Sequence, residues 1–248
     1  SIYGLTFNCS DSVFSNINIR KAFLTSINKD YLFSNISENN IEKANDIIPD
    51  YFKVNNSTNR DSAGNSLFLK ENDNPKSFLT KGLSELKLKS LPEVSILCKD
   101  DSTTKAMVSS MIEMFNNKLG YYFNMEPVSK ETLSSKIKSG SYQLAVSSIL
   151  LENDSAFDLI ETFKSDNDKN IANLKNTEFD KLLTQFGNQD ISKAINSLVS
   201  AEKLLNDCAI FYPLYTEKSY YVCAKNISGI KFYPYNRGVN FTLAKKSK

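Results

Sequence analysis

Carboxylates crowd the segment LENDSAFD, residues 151–158, which carries Glu152, Asp154 and Asp158. A carboxylate there can hold a ligand's ammonium group through charge-assisted hydrogen bonds. The same set can also act as general acid and base in a hydrolysis. In the plainest case Asp154 or Ser155 caps a following helix while the other side chains face water. Immediately before it, the apolar run YQLAVSSILL places Ser147 and Ser148 toward its carboxyl end. In open α/β sheets, ligands sit beyond the carboxyl ends of strands. Residues 170–176 form an amide-rich loop that includes Asn173, and amides both donate and accept, as peptide-like groups require. The stretch KDDSTT, residues 99–104, stands above a predicted helix start, where backbone N–H groups receive an anion or solvate themselves. Tyr215 lies in FYPLYTEKSYYV, whose aromatics flank Pro213 and divide between a core face and a cleft face.

Other chemistries are closed off by composition. The 248 residues include no histidine, which removes Ser–His–Asp and Cys–His nucleophile systems and the usual general base near neutral pH. None of the four cysteines forms a Cys-x-x-Cys pair, so a zinc ribbon or thioredoxin motif is excluded. Cys98 ends an apolar strand and reads as a buried small hydrophobe. Cys208 and Cys223 flank a predicted hairpin, where a disulfide is an alternative to two free thiols. SDNDKN, residues 165–170, alternates acids as a calcium loop does. Ile171 and Thr177 then stand where that loop needs Gly and Glu, so a polar turn is the expectation. Thirty basic residues against twenty-eight acidic give +2, which is not the basic face of a nucleic-acid binder. No apolar run reaches the ~18 residues a membrane helix needs. The chain opens inside an apolar strand, Ile2 to Phe7, as a piece of a longer protein would.

These residues have to be positioned by elements whose periodicity is readable. NINIRKAFLTSINKDYL, residues 16–32, predicts a helix with Phe23, Ile27 and Tyr31 on one stripe beside Leu24. Arg20 and Lys21 sit just inside its start, where the helix dipole disfavours cations. Asn74–Pro75 restarts order with a cap and a first-turn proline. EVSILCK reads as a strand, and the following helix, capped by Ser102 and stopped by Gly120, buries Val108, Ile112, Phe115 and Leu119. YYFNMEPV and YQLAVSSILL are strands separated by a short helix, and SAFDLIETFKS is another helix. Strands alternating with helices specify parallel α/β winding. Two amphipathic helices follow, on Phe179, Leu182, Leu183 and Phe186 and on Ala194, Leu198, Ala201 and Leu205, before a β-hairpin or strand pair. β-structure at both ends of the chain predicts two connecting strands carrying the body between them.

In this order the pieces resemble the solute-binding proteins of peptide-type ABC importers, the oligopeptide-, dipeptide- and nickel-binding family, family 5. LTFN followed by VFSNINIRKAFLTSINKDYL matches that family's opening, keeping Asn8, Arg20 and Ala22 but with Asn28 at a usual Asp. NPKSFLTKGLSEL, the strand–helix–strand succession of residues 94–146, IANLKNTEFDKLL with Asn173, Asn176, Phe179 and Asp180, and AIFYPLYTEKSYYV follow in the family's sequence. The resemblance covers nearly the whole chain, and only the second half of a family member.

It implies a periplasmic-binding-protein-like α/β lobe with a mixed, mostly parallel sheet flanked by helices and hinge strands at both chain ends. Residues 1–9 would be one hinge strand, 10–209 lobe II, and 210–248 the return strand with a C-terminal segment of lobe I. It implies non-catalytic binding of a peptide or other small solute, with ABC permease subunits as partners, no cofactor, and no nucleic acid. The location implied is the extracellular face of a bacterial membrane, through a lipid anchor outside this sequence, or the periplasm. The implied contacts are Glu152 for an ammonium group, Ser147 and Ser148 at the strand end, Asn173 in the amide loop and Tyr215 near the hinge. Where the family commonly has a pocket Trp and an Asp, this chain has Ile149 and Glu152. Arg20 becomes an architectural hydrogen-bonding residue near the hinge. A surface interaction module built on the same lobe, and a hydrolase working through Glu152, Asp154 or Asp158, are the alternatives.

Overall fold

The computed structural model describes residues 1–34, 36, 40–49, 53–54, 57–58, 73–150, 155–186, 191–218, 220, 222–233 and 238–247. Its centre is a six-stranded sheet in the order β2-β8-β1-β7-β5-β6. The strands are β1 (Ile2–Phe7), β2 (Ile41–Lys43), β5 (Ser95–Lys99), β6 (Asn124–Val128), β7 (Leu144–Ile149) and β8 (Phe211–Glu217). Two-residue strands β3 (Lys53–Val54) and β4 (Ser57–Thr58) pair with each other. So do β9 (Ile227–Ser228) with β12 (Lys245–Lys246), and β10 (Lys231–Phe232) with β11 (Val239–Asn240).

The sheet is mixed, as expected, but antiparallel ladders outnumber parallel ones. β5 runs parallel to β6 and β7, the product of the strand–helix–strand crossovers through the helices Ser102–Leu119 and Lys130–Ser139. β1 runs antiparallel to both β7 and β8, and β2 antiparallel to β8. The reason is local: β1 enters the sheet before any crossover helix and against the direction of the α/β strands. The two chain-end strands are therefore direct neighbours, with Tyr3 opposite Tyr215 and Thr6 opposite Phe211. No hairpin follows β8 among the described residues; its partners are β1 and β2.

Helices cover both faces. On one lie α1 (Ile17–Ser26), α2 (Lys29–Ser34), α3 (Pro75–Leu86) and α4 (Ser102–Leu119), packed on Leu5, Phe7, Ile96, Cys98, Leu144 and Val146. Phe7, Phe14, Phe23, Phe115 and Phe123 form a linked aromatic group there, with edge contacts such as Phe23–Phe115 at 4.9 Å. On the other face, α6 (Ala156–Glu161), α7 (Thr177–Phe186) and α8 (Ile191–Asp207) pack on Ile2, Ile149, Ile210 and Phe211. α5 (Lys130–Ser139) covers Leu97, Tyr142 and Ala145. Alternation along β5 and β7 thus feeds two cores, which explains the nearly continuous apolar run of β7.

Two predicted boundaries move. The first helix ends at Ser26, Ile27 is extended (φ −82°, ψ 125°), and Asn28 starts a second helix by accepting from the Tyr31 N–H at 3.0 Å. Tyr31 is accordingly exposed, its hydroxyl donating to Glu113 at 2.9 Å. Asp101, not Ser102, caps α4: its Oδ1 accepts from Thr104 N at 2.9 Å. All four cysteines are free, with Cys98 in the core, Cys9 and Cys208 half-buried and Cys223 exposed.

Candidate functional site

A cleft of about 1080 Å³ opens along one edge of the sheet. It lies beyond the carboxyl ends of β5, β6 and β7, where Lys99, Asp101, Lys130, Ser147 and Ser148 line it. The edge is the right one for a physical reason: parallel strands end here and helix N-termini begin here, so unpaired N–H groups and side chains meet a concave surface. Tyr3 and the residues Tyr215 and Glu217 of β8 also line it, as does the loop from Ser165 to Lys175.

Four of the five predicted contacts, Ser147, Ser148, Asn173 and Tyr215, line this one cleft. The fifth, Glu152, lies outside the described residues, as does Asp154. The four differ in what they offer. The Ser147 hydroxyl is buried and shares a 2.6 Å hydrogen bond with Thr6 Oγ1 across β1 and β7. Ser148 is exposed, opposite Tyr3 in the ladder. Asn173 has a positive φ of 50° and donates from Nδ2 to Asn8 Oδ1 at 3.1 Å. Asn8 in turn donates to the carbonyls of Gly140 and Tyr142 at 2.9 and 2.8 Å, tying the loop to β1 and α5. Tyr215 stacks on Tyr3, ring centroids 4.6 Å apart and planes within 5°.

The tyrosine pair adds aromatic surface to a wall that mixes polar groups with Leu133, Ile137, Val146, Ile171 and Leu174, Tyr215 being buried behind Tyr3. The Tyr3 hydroxyl donates to Glu217 Oε2 at 3.1 Å, and its pKa is pushed up to about 12, by burial first and by the Glu217 charge second. Tyr215 is raised as well, chiefly by burial. Asp101 stays below the usual carboxylate range: burial opposes its charge, but bonds from Thr104 and Lys99 outweigh it.

Apart from Asn173, the amide side chains of this loop bond chiefly to nearby backbone. Asn170 Nδ2 donates to the Lys164 and Leu174 carbonyls at 3.2 and 2.8 Å, and Asn176 Oδ1 accepts from Glu178 N and Phe179 N to cap α7. Asp166, from the calcium-like stretch, pairs with Lys164 at 3.0 Å. Among the described residues no group of three or more metal-ligating side chains converges. Asp158, of the carboxylate cluster, lies in the first turn of α6, where its N–H donates to Ser155 Oγ at 3.1 Å.

Residues 1–170 match the family described as bacterial extracellular solute-binding proteins, family 5. The chain belongs to that family. It is 24% identical over 234 residues to the dipeptide-binding protein DppE of Bacillus subtilis, covering 94% of this chain and 43% of that protein. Against the oligopeptide-binding protein OppA of the same organism it is 25% identical, covering 92% and 42%. The chain thus spans less than half the length of the curated relatives it matches. The fold is shared with the peptide-bound structure of Listeria monocytogenes OppA, at a TM-score of 0.80 and 20% identity over 100% of this chain and 49% of that one. A crystal structure described as the peptide-binding protein of a peptide ABC transporter gives a TM-score of 0.77 at 24% identity, covering 86% of this chain and 97% of that chain.

Two positions singled out by the family-5 pattern have clear places. Arg20 is 5% exposed, and its guanidinium donates to the carbonyls of Phe14 (2.6 Å), Ser15 (2.9 Å) and Cys208 (3.0 and 2.8 Å). It ties the turn before α1 to the end of α8, an architectural role that explains a cation at a helix start. Ile149, at the family's Trp position, is buried against the second core and pairs with Ile2, away from the cleft. Tyr3, Glu217 and Lys130 escaped sequence reasoning. Tyr3 and Glu217 reach the cleft only through pairing of β1 with β8, a contact no local pattern announces. Lys130 could have been found as the residue after a strand end, like Lys99.

Proposed function

We propose that this chain is the ligand-covering lobe of a non-catalytic, extracytoplasmic solute-binding component of an ABC importer, with a peptide as its solute. The observation that carries the reading is the cleft at the strand ends, which four of the five expected contacts line. In this reading residues 1–9 and 210–217 are the connecting strands, the body between them is one jaw, and the C-terminal segment to 248 returns to the other jaw. Ser148, the stacked face of Tyr3 and Tyr215, and Glu152 touch the solute. Ser147 and Asn173 hold the strand end and the loop in place. The partners are the permease subunits, and a lipid anchor outside this sequence, or confinement in a periplasm, keeps the protein at the membrane.

Peptide main chain suits this wall because hydroxyls, amides and strand-end backbone groups satisfy its N–H and C=O groups whatever the side chains. The direct test is native mass spectrometry of the complete protein as purified from its source, followed by denaturation and sequencing of released ligand. Peptides are the expected release. A non-peptide solute as the sole ligand would overturn the assignment. Replacing Ser148 with Phe in the complete protein should weaken peptide binding by about tenfold, some 1.4 kcal/mol, without lowering the melting temperature. Unchanged affinity would remove Ser148 from the site.

A further inference from the structure

Two thiols that the proposed solute site leaves unused flank the same end of the β1–β8 pair. β1 and β8 pair Thr6 with Phe211, and the ladder continues where the Phe7 N–H donates to Ile210 O at 3.0 Å. Cys9 lies two residues past Phe7 and Cys208 two residues before Ile210, where the left-handed Ala209 (φ 53°) turns the chain from α8 into β8. Both are half-buried, and both pack against the same hydrophobic cluster. Each backbone is anchored. Cys9 N–H donates to Ala172 O at 2.8 Å and Cys208 N–H to Leu204 O at 2.9 Å. The Cys208 carbonyl takes both bonds from Arg20 described above, and the Asn176 amide reaches Cys208 Sγ at 3.5 Å. Each thiol lies within electrostatic reach of the other and of the Arg20 guanidinium. The other two cysteines are placed differently: Cys98 is sealed in the opposite core, and Cys223 is exposed beyond β8.

We propose that Cys9 and Cys208 are a redox pair, a site of disulfide closure that staples the outgoing end of β1 to the incoming end of β8. The oxidant is a small-molecule disulfide of the glutathione class, available outside the cytoplasm, where disulfides persist. One cysteine, as thiolate, attacks a sulfur of that molecule and expels one small thiol, leaving a mixed disulfide. The second cysteine gives up its proton, attacks the protein-side sulfur and expels the second small thiol. Two protein S–H bonds and one small-molecule S–S bond become one protein S–S bond and two small-molecule S–H bonds; the protein loses two electrons and the oxidant gains them. Burial raises both thiols above their ordinary range, so the thiolate is scarce at neutral pH and closure accelerates as pH rises. The staple joins segments far apart in sequence, and cross-links of that kind restrict the unfolded chain most.

The test is to incubate the native chain with oxidised glutathione, block remaining thiols by alkylation, and digest without reduction for mass spectrometry. The expected result is a linked pair of peptides containing Cys9 and Cys208, a mass loss of about 2 Da from two hydrogens, and reversal by a thiol reductant. Cys223→Ser should leave the cross-link intact, while Cys9→Ser and Cys208→Ser should each abolish it. If either serine variant fails to fold, the alanine variant at the other position gives the same readout. Cys9 and Cys208 recovered as separate mixed disulfides, both recovered unmodified while Cys223 reacts, or a link from Cys208 to Cys223 would each overturn the proposal.

Discussion

Arg20 shows how one side chain can be fully used without a carboxylate. Its planar fork donates to three carbonyls from two parts of the chain, which a lysine's single ammonium cannot reproduce. Arg20→Ala leaves those acceptors buried and unpaired, at a cost of about 3 kcal/mol of unfolding free energy. Arg20→Lys should recover less than half of that. Urea denaturation of the three proteins, compared at a common slope, measures both. The tyrosines make a second prediction, in pH. Tyr3 and Tyr212 are both held at about 12 in the folded chain, against 10.0 for an ordinary tyrosine, and Tyr142 and Tyr215 are also raised, all principally by burial. A raised folded pKa means the folded state keeps its proton after the unfolded state has lost it. Their contribution is therefore complete below pH 10 and is lost as pH climbs toward about 12. Melting temperature should fall across that window, and tyrosinate absorbance should appear later than in the unfolded chain. Tyr3→Phe removes one of these groups and should flatten the fall.

Packing between elements depends on places where no Cβ fits. At Gly82 of α3 a Cβ would stand 2.6 Å from Ile19 Cδ1 and 2.9 Å from Ile19 N, so α1 and α3 touch through this glycine. Gly82→Ala should destabilise by about 1–3 kcal/mol despite the better helix propensity of alanine, because the obstacle includes backbone. Thermal melts of Gly82→Ala beside an exposed alanine substitution on the same helix, Lys81→Ala, separate the clash from propensity. Elements of this kind were readable wherever the signal was local. α4 was plain because Val108, Phe115 and Leu119 recur at helical spacing and Gly120 takes the left-handed conformation that ends it, φ 78°. α1 was read too long because Ile27 and Tyr31 continue its stripe, while the chain turns at Ile27 and Asn28 begins a new helix. Of the hairpin or strand pair expected over residues 209–226, the strand β8 forms and pairs with β1 and β2, for the complementary reason. Alternation in FYPLYTE marks a strand without saying which strand it joins, and its partner β1 lies at the other end of the chain. The candidate site divides in the same way. Ser147, Ser148 and Tyr215 were found because strand ends are readable, and Tyr3 and Glu217 were missed because they enter by long-range pairing.

For the whole molecule, the decisive feature is that β1, first in the chain, pairs with β8, which follows all the helices. β1 and β8 supply Leu5, Phe7 and Leu214 to one core and Ile2, Ile210 and Phe211 to the other. Both faces of the sheet around β1 and β8 are therefore covered by packed side chains. The cleft, by contrast, has one wall of strand ends and one loop and stands open along its side. Small-ligand sites usually bury about 70–90% of the ligand surface, and association costs several kcal/mol of lost translation and rotation before any contact counts. A single wall supplies contacts on one side of a peptide only, so the net affinity falls to the millimolar range or weaker, about 4 kcal/mol at most. Isothermal titration of this chain with a mixed set of short peptides should therefore give no saturable heat at micromolar concentrations. On the proposed two-jawed reading, the complete protein should titrate with the same peptides, because a second jaw closing on the cleft would bury the other side. The control is the fold itself: an unchanged, cooperative melt of the isolated chain shows that weak binding comes from the open cleft and not from unfolding. Tight saturable binding by the isolated chain would mean that one wall suffices, and the two-jawed reading of the site would fall.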